Sequence, residues 1–356
     1  MDVFSLLQTA KLKDASDLHL VVASPPLLRV RGSLEPVNGI APMTPSEISA
    51  AFLQLTTPTE REDFTRHLEL DFGYTLSDGT RLRCNAAQQR GAISLAVRLL
   101  PPKIPTIEEL ELPQICNELV LKPRGLVIIS GPTGSGKSTT LAAMIQHLNA
   151  KRSCHVLTIE DPIEYVHPSL NCAITQRQLG SDTLSFAHAL KHALRQDPDV
   201  ILVGEMRDIE TAASVLTLAE TGHLILTTGH APSAPQAIER VIDMFPPAER
   251  NLAQVRLASL LVAVLTQTLV PRADGAGRIA AVEIMLANPP IRNLIREGKI
   301  YQLSNVIRTH HDIGMMTLDE ALVDLYLRQK INGETMLSVC NDPQEVEKLI
   351  GRVSVR

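Results

Sequence analysis

The nine residues from Gly131 to Thr139 read Gly-Pro-Thr-Gly-Ser-Gly-Lys-Ser-Thr, and they are the types a chain needs to hold a polyphosphate. Gly131, Gly134 and Gly136 permit backbone angles closed to side chains. With Pro132, Thr133 and Ser135 they form a loop whose successive N–H groups can converge on phosphate oxygens. Lys137 adds a compact positive charge, and the Ser138 hydroxyl is suited to a Mg²⁺ bridging the β and γ phosphates. A helix starting near Thr139 would turn its positive end toward the same anions. This spelling predicts a nucleotide hydrolase.

Hydrolysis also needs a group that activates water and a group that holds the metal. The run Val200-Ile201-Leu202-Val203-Gly204-Glu205 is an apolar strand ending in an acid. Its penultimate position, where P-loop enzymes usually hold a magnesium-binding Asp, is Gly204, which leaves Glu205 as the lone carboxylate. It is suited to bind Mg²⁺ through water or to polarise the attacking water. A second acidic cluster, Glu160-Asp161-Pro162-Ile163-Glu164, follows the strand-like Val156 to Ile159. In open α/β sheets ligands lie at the carboxyl ends of strands, so Glu160 and Glu205 are both candidates for the metal and for the water. Asp161 also fits a turn cap, and Glu164 an ordinary solvated acid. His223 and His230 flank the run Leu224 to Gly229; on a strand they stand roughly 23 Å apart, so they cannot share one metal. His230, at the carboxyl end, is placed to sense a γ-phosphate, and His223 reads equally well as structural.

The elements that must position these groups follow from hydrophobic spacing. Gly125 to Ser130, Cys154 to Ile159, Val200 to Val203 and His223 to Thr228 read as buried strands separated by helical stretches, one of them Thr140 to Asn149. That alternation predicts an α/β domain with a parallel sheet and helices on both faces. Residues 1–99 differ. Strands are expected at 17–22, 27–30, 70–75, 81–86 and 93–99, with helices at 45–55 and 59–67, giving an α+β domain. Leu100-Pro101-Pro102-Lys103-Ile104-Pro105 suits a stiff connector, so the expected organisation is 1–99, a Pro-rich linker over 100–113, and 114–356 with C-terminal helices from about 289.

Composition narrows the function classes. The net charge of −5, the absence of Trp and an aromatic content of 3% argue against nucleic acid as a partner. The five cysteines, at 84, 116, 154, 172 and 340, form no Cys-x-x-Cys pair, which disfavours a zinc ribbon and a disulfide framework. No signal-peptide pattern opens the chain. The longest apolar stretch, Leu257 to Val270, carries Ser259, Thr266, Gln267 and Thr268 and is too short and polar for a bilayer. A soluble cytoplasmic protein without a transmembrane segment is expected.

Together Gly131–Thr139, Thr158–Glu164, Asp199–Asp208 and Thr221–His230 resemble the Walker A, Asp box, Walker B and His box of the type II/IV secretion ATPase superfamily. Ser16 to Leu20, Asp71 to Gly73 and Arg81 to Asn85 are similar to its PAS-like domain. Pro290-Ile291-Arg292-Asn293-Leu294-Ile295-Arg296-Glu297 is close to the Ala-Ile-Arg-Asn-Leu-Ile-Arg-Glu signature of the type IV pilus retraction ATPases, the PilT family. The resemblance implies a PAS-like domain followed by a RecA-like ATPase domain, assembled as a homohexamer and using ATP and Mg²⁺. It further implies Glu205 as the catalytic glutamate, Glu160 at the metal and water, and His230 near the γ-phosphate. The implied partners are the pilus machinery and its inner-membrane platform protein, at the cytoplasmic face of the inner membrane. The sequence departs from the pattern in three places: Gly229 and Ala231-Pro232 flank His230, Pro290 replaces Ala, and the tail after Met315-Met316-Thr317-Leu318-Asp319 is similar to the paralogous PilU branch.

Rings of this kind complete a site with a neighbour's arginine, because guanidinium neutralises charge on the transferring phosphoryl group. Arg81, Arg83 and Arg98 are the candidates, and a solvated strand face is the competing reading. In Pro290 to Glu297, Ile291, Leu294 and Ile295 form an apolar stripe, with Arg292 and Arg296 on another face, as in any amphipathic helix. Alternative functions are an assembly motor for pili or type II secretion, an accessory retraction motor, and a non-hydrolysing nucleotide-gated scaffold. Assembly motors commonly carry an additional N-terminal domain and a four-cysteine zinc element; neither is expected here, and the cysteines form no Cys-x-x-Cys pair.

Overall fold

The computed structural model describes residues 2–30, 32–100 and 103–353. The chain forms two compact units, Met1–Lys103 together with Pro162–Val166, and Ile104–Asp161 together with His167–Arg356. Pro101 and Pro102 of the expected connector lie outside the described residues. Ile107 and Leu112, from its second half, are buried in the second unit.

In the first unit the strands β1 (Ala15–Leu20), β2 (Leu27–Val30), β3 (Ser33–Pro36), β4 (Glu69–Thr75), β5 (Arg81–Gln89) and β6 (Ala92–Leu99) form an antiparallel sheet in the order β3-β2-β1-β6-β5-β4. Helices α1 (Val3–Leu12), α2 (Pro45–Leu55) and α3 (Pro58–His67) accompany it. Period-two alternation sends Leu18, Leu20, Leu82, Cys84, Ala86, Leu95 and Val97 into one core with Leu6, Leu7, Ile48 and Phe52 from the helices. The opposite face carries Asp17, Arg83 and Arg98. Helices α2 and α3 open alike, on Thr44-Pro45 and Thr57-Pro58, with Glu47 and Glu60 closing capping boxes.

The second unit is a seven-stranded sheet in the order β13-β12-β7-β11-β10-β8-β9. Its strands are β7 (Gly125–Ser130), β8 (His155–Glu160), β9 (Ala173–Gln178), β10 (Val200–Val203), β11 (Leu224–Thr228), β12 (Leu261–Pro271) and β13 (Arg278–Leu286). The helices are α4 (Ile115–Val120), α5 (Lys137–Lys151), α6 (Phe186–Ala193), α7 (Ile209–Glu220), α8 (Ala234–Asp243), α9 (Arg250–Leu260), α10 (Pro289–Arg296), α11 (Leu303–Thr309), α12 (Leu318–Leu327), α13 (Gly333–Val339) and α14 (Pro343–Val353). Every residue of β7, β10 and β11 is buried, which is why these strands read as unbroken apolar runs: helices cover both faces.

Three strands extend the sheet beyond the four expected. Edge strand β9 pairs in parallel with β8, and β12 pairs in parallel with β7. β13 returns antiparallel to β12, so the sheet is mixed. The apolar stretch 257–270 thus divides into the end of α9 and β12. No helix among the described residues is long and apolar enough to cross a membrane.

Candidate active site

The parallel register brings the candidate residues to one edge. Ile159 of β8 pairs with Val203 of β10, Val203 with Thr227 of β11, and Thr228 with Ile129 of β7. The residues just beyond these rungs are Glu160, Gly204–Glu205, Gly229–His230 and Ser130–Gly131, all leaving the carboxyl ends of adjacent strands.

At β7 the chain turns into α5 through Gly131–Gly136. Gly131 has φ +138°, and a Cβ there would lie 2.3 Å from the Gln267 carbonyl oxygen and 2.7 Å from Ser135 Oγ. Only glycine fits. Lys137 is buried and donates from Nζ to the carbonyls of Gly131 and Pro132, at 2.9 and 3.0 Å. Helix α5 begins on Gly136 without a side-chain cap, so its first N–H groups have no partner from that position. Ser135 Oγ is buried with no hydrogen-bond partner. An uncapped helix start and an orphaned buried hydroxyl fit a nucleotide phosphate, with Ser138 and Thr139 in the first turn.

Beside the loop lies a cavity of about 420 Å³, bounded by Gly136, Thr139, Thr140, Leu110, Leu269 and Ile279. Gln267 of β12 forms its floor, donating from Nε2 to Thr140 Oγ1 at 2.8 Å. Arg272 in the wall is held by Glu111 at 2.6 Å.

Glu160 Oε1 accepts from Thr158 Oγ1 at 2.6 Å and from Gln176 Nε2 at 3.1 Å. Next to it, Gly204 donates to the Ile159 carbonyl at 2.8 Å. A Cβ at 204 would stand 3.2 Å from that oxygen and 3.3 Å from the Glu160 Cα, so an Asp at this position would crowd Glu160. Glu205 therefore carries the strand's acid one residue later. Its side chain is 12% exposed, with His230 Nε2 3.3 Å from Oε2 and Arg207 in an ion pair with Oε1. The hydrogen bond to Glu205 raises the Arg207 pKa, and Arg207 also stands 3.8 Å from Asp161.

The His230 loop is pinned on both sides. Gly229 donates to the Ile129 carbonyl at 2.9 Å. Ser130 Oγ donates to the Ala231 carbonyl at 2.8 Å and accepts the Ala231 N–H at 2.9 Å. The Gly229 departure thus leaves His230 at the edge of the sheet, on Glu205. His223 stands at the other end of β11, its Nδ1 3.0 Å from Thr221 Oγ1 and from the Leu218 carbonyl at the close of α7.

The three candidate arginines belong to the first unit. Arg83 and Arg98 face each other across β5 and β6. Arg98 Nε donates to Asp17 Oδ1 at 2.9 Å, Arg83 lies 3.7 Å from Glu164, and Arg81 Nη1 donates to Thr75 Oγ1 at 3.0 Å. In the signature segment, Ile291 and Ile295 are fully buried, and Pro290 lies in the first turn of α10. Arg292 donates to the carbonyls of Ala258, Ser259 and Ala287, at 2.6, 2.7 and 2.9 Å, closing the end of α9. Arg296 is exposed.

Sequence reasoning passed over Arg207, Gln267 and Ser130. Arg207 had a signal, an arginine two residues past the strand-end acid; Gln267 and Ser130 become visible only when neighbouring strands are known.

A phosphate-binding loop, strand-end carboxylates and a helix-flanked sheet define a P-loop ATPase domain of RecA-like form, preceded by a PAS-like α+β domain. The family model described as "Type II/IV secretion system protein" matches residues 95–290. The chain is 44% identical to the type IV pilus retractation ATPase PilT of Pseudomonas aeruginosa, over 97% of this chain and 99% of that one. It is 40% identical to the type IV pilus ATPase PilU of the same organism, over 98% and 91%. The crystal structure of the pilus retraction motor PilT with bound ADP superposes with a TM-score of 0.91 at 37% identity, covering 98% of this chain and 99% of that one. The chain belongs to the type II/IV secretion ATPase superfamily and, within it, to the PilT family.

Proposed function

We propose that this protein is an ATP-driven motor that retracts type IV pili. The observation that carries the reading is the convergence of the Gly131–Thr139 loop, Glu160, Glu205 and His230 on one sheet edge, in a chain matching a pilus retraction ATPase almost end to end. It works as a homohexamer at the cytoplasmic face of the inner membrane, against the platform protein of the pilus machinery.

ATP lays its phosphates on the N–H groups of the loop and start of α5, and its base in the cavity beside Thr139 and Thr140. Lys137 exchanges its two carbonyl partners for phosphate oxygens. Ser138, Glu160 and Glu205 are the side chains that would hold Mg²⁺, directly or through water, and the ion would supply neutralisation of phosphate charge. Glu205 orients the attacking water and takes its proton as the water oxygen bonds to the γ-phosphorus and the bond to the bridging oxygen breaks. His230 holds the second Glu205 oxygen and touches the γ-phosphate. A neighbouring subunit's Arg81, Arg83 or Arg98 completes the charge balance; unchanged turnover in assembled rings with all three replaced by alanine would remove that role.

A second reading, an accessory retraction motor, is favoured by the similarity to PilU. Deleting the gene and counting surface pili by electron microscopy separates the readings. Excess pili without twitching, rescued by wild type and not by Lys137→Ala, is the expected result. Bald cells would mean an assembly motor, and unchanged cells an accessory one.

A further inference from the structure

Glu283, midway along β13, is a carboxylate only 7% exposed among the buried Ala281, Val282, Ile284 and Met285. A charge so placed needs donors. It accepts the N–H of Ala234, the first residue of α8; burial pushes its carboxyl up, the Ala234 N–H opposes that, Asp319 adds to it, and the N–H of Leu318, the first residue of α12, lowers it again. Both helix starts carry their own side-chain caps, Ser233 on the Gln236 N–H and Thr317 on the Glu320 N–H. Glu283 takes a donor those caps leave, and the starts of α8 and α12 both favour its ionised form against the burial that opposes it.

The two helices lead to different places. Helix α8 starts four residues after His230, whose loop is fixed on the strand side by Ser130 and Ile129. The helix side is held by Glu283 through the Ala234 N–H. Helix α12 is the root of the C-terminal helices. Met316, just before it, is bridged to Ile284 in both directions, at 2.8 and 3.1 Å. Asp319, within it, accepts the N–H groups of Asn341 and Asp342 ahead of α14, at 2.7 and 3.0 Å. Glu283 therefore ties the helix side of the His230 loop to an element bonded to the sheet at Ile284.

We propose that Glu283 is a positioning residue for the His230–Glu205 pair, holding the loop between β11 and α8 against the base of α12. The proposal rests on the reading of His230 and Glu205 above. Replacing one carboxyl oxygen by an amide, Glu283→Gln, keeps the size of the side chain but leaves a single acceptor and turns an N–H toward one of the two helix starts, so the tie between α8 and α12 loses one of its ends and the loop that sets the distance of His230 from Glu205 is loosened.

The test is a double-mutant cycle on the full chain with Glu283→Gln and His230→Ala, read by phosphate release at saturating ATP, by KM and by Tm. Glu283→Gln is expected to lower kcat about tenfold with KM within about twofold, because displacement of a positioned group costs rate rather than binding. The double variant is expected to turn over within about twofold of His230→Ala alone, since both changes break one unit. A folded Glu283→Gln protein with wild-type kcat would overturn the proposal, as would losses that multiply in the double variant. If Glu283→Gln does not fold, Glu283→Asp, which keeps the charge at shorter reach, enters the same cycle with the same criteria. Wild-type turnover in His230→Ala would instead refute the reading of His230 and this proposal with it, an outcome distinguishable from an impaired His230→Ala with additive losses, which refutes Glu283 alone.

Discussion

The phosphate loop and helix α10 are both short stretches that spell a family signature, yet they treat their polar groups in opposite ways. In the loop, Ser135 Oγ is buried without a partner, α5 starts without a cap, and Lys137 spends its charge on two backbone carbonyls. In α10, Asn288 caps the helix on the Ile291 N–H at 3.0 Å, Ile291 and Ile295 fill the core, and Arg292 satisfies three carbonyls. Polar groups left open inside a fold mark where a ligand is expected, and polar groups answered within it mark structure. By that measure the first region is a binding site. The second is a joint between α10 and α9, with Arg296 facing solvent.

Breaking the open region should cost activity and not the fold. Lys137→Ala is expected to lower phosphate release at least about a hundredfold, the loss seen when one preorganised charge partner of a transition state is removed, with a thermal midpoint close to wild type. A normal rate would dissolve the comparison. Glu205→Gln separates chemistry from binding in the same region. We expect kcat to fall about a hundredfold or more while nucleotide affinity, by titration with a fluorescent ADP analogue, stays within a few-fold. Equal losses of rate and affinity would make Glu205 a binding group only.

Breaking the answered region should cost the fold first. Arg292→Ala strands carbonyls at the end of α9 and is expected to destabilise by about 2 kcal/mol in urea unfolding. Arg296→Ala should stay within about 0.5 kcal/mol. If Arg296→Ala keeps ATPase activity but abolishes retraction, the exposed arginine carries the coupling; if Arg292→Ala proves neutral in stability, α10 is not the joint its hydrogen bonds describe.

The same contrast explains what could be read from residue order. The placement of the loop, Glu160, Glu205 and His230 at adjacent strand ends was legible because buried parallel strands read as apolar runs and their carboxyl ends follow at once. Strand β9, Ala173-Ile174-Thr175-Gln176-Arg177-Gln178, was not, because an edge strand has only one side to bury and its side chains are mostly polar. Strand β12 was hidden for the opposite reason: α9 runs into it at Leu260-Leu261 with no glycine or proline between. Without β12 and β13, neither Gln267 behind Gly131 nor Glu283 behind α8 can be found, although a lone acid inside the run Ile279 to Leu286 is a signal in its own right. Arg98 was chosen for its place on a strand face, and its partner Asp17 lies 81 positions away in the chain, beyond what local spacing reports.

That pair gives the smallest effect and the finest test of the contrast. Burial pushes the Asp17 carboxyl up, but hydrogen bonds from Ser16 and Arg98 outweigh it and hold the group below its ordinary value. A carboxyl whose folded pKa lies below the unfolded one, about 4, adds stability that is present above that pH and is lost as the pH falls through the folded value. Arg98 is 59% exposed, so its share is screened and should amount to less than about 1 kcal/mol. Wild type should therefore exceed Arg98→Ala in urea unfolding at pH 7, and the gap should close as the pH falls below about 4. A gap that does not shrink at all as the pH is lowered, down to the acid limit of folding, would mean that Arg98 contributes through packing and not through Asp17. The arginine would then be free to serve a neighbouring subunit's nucleotide, and it would move from the answered side of the comparison to the open one.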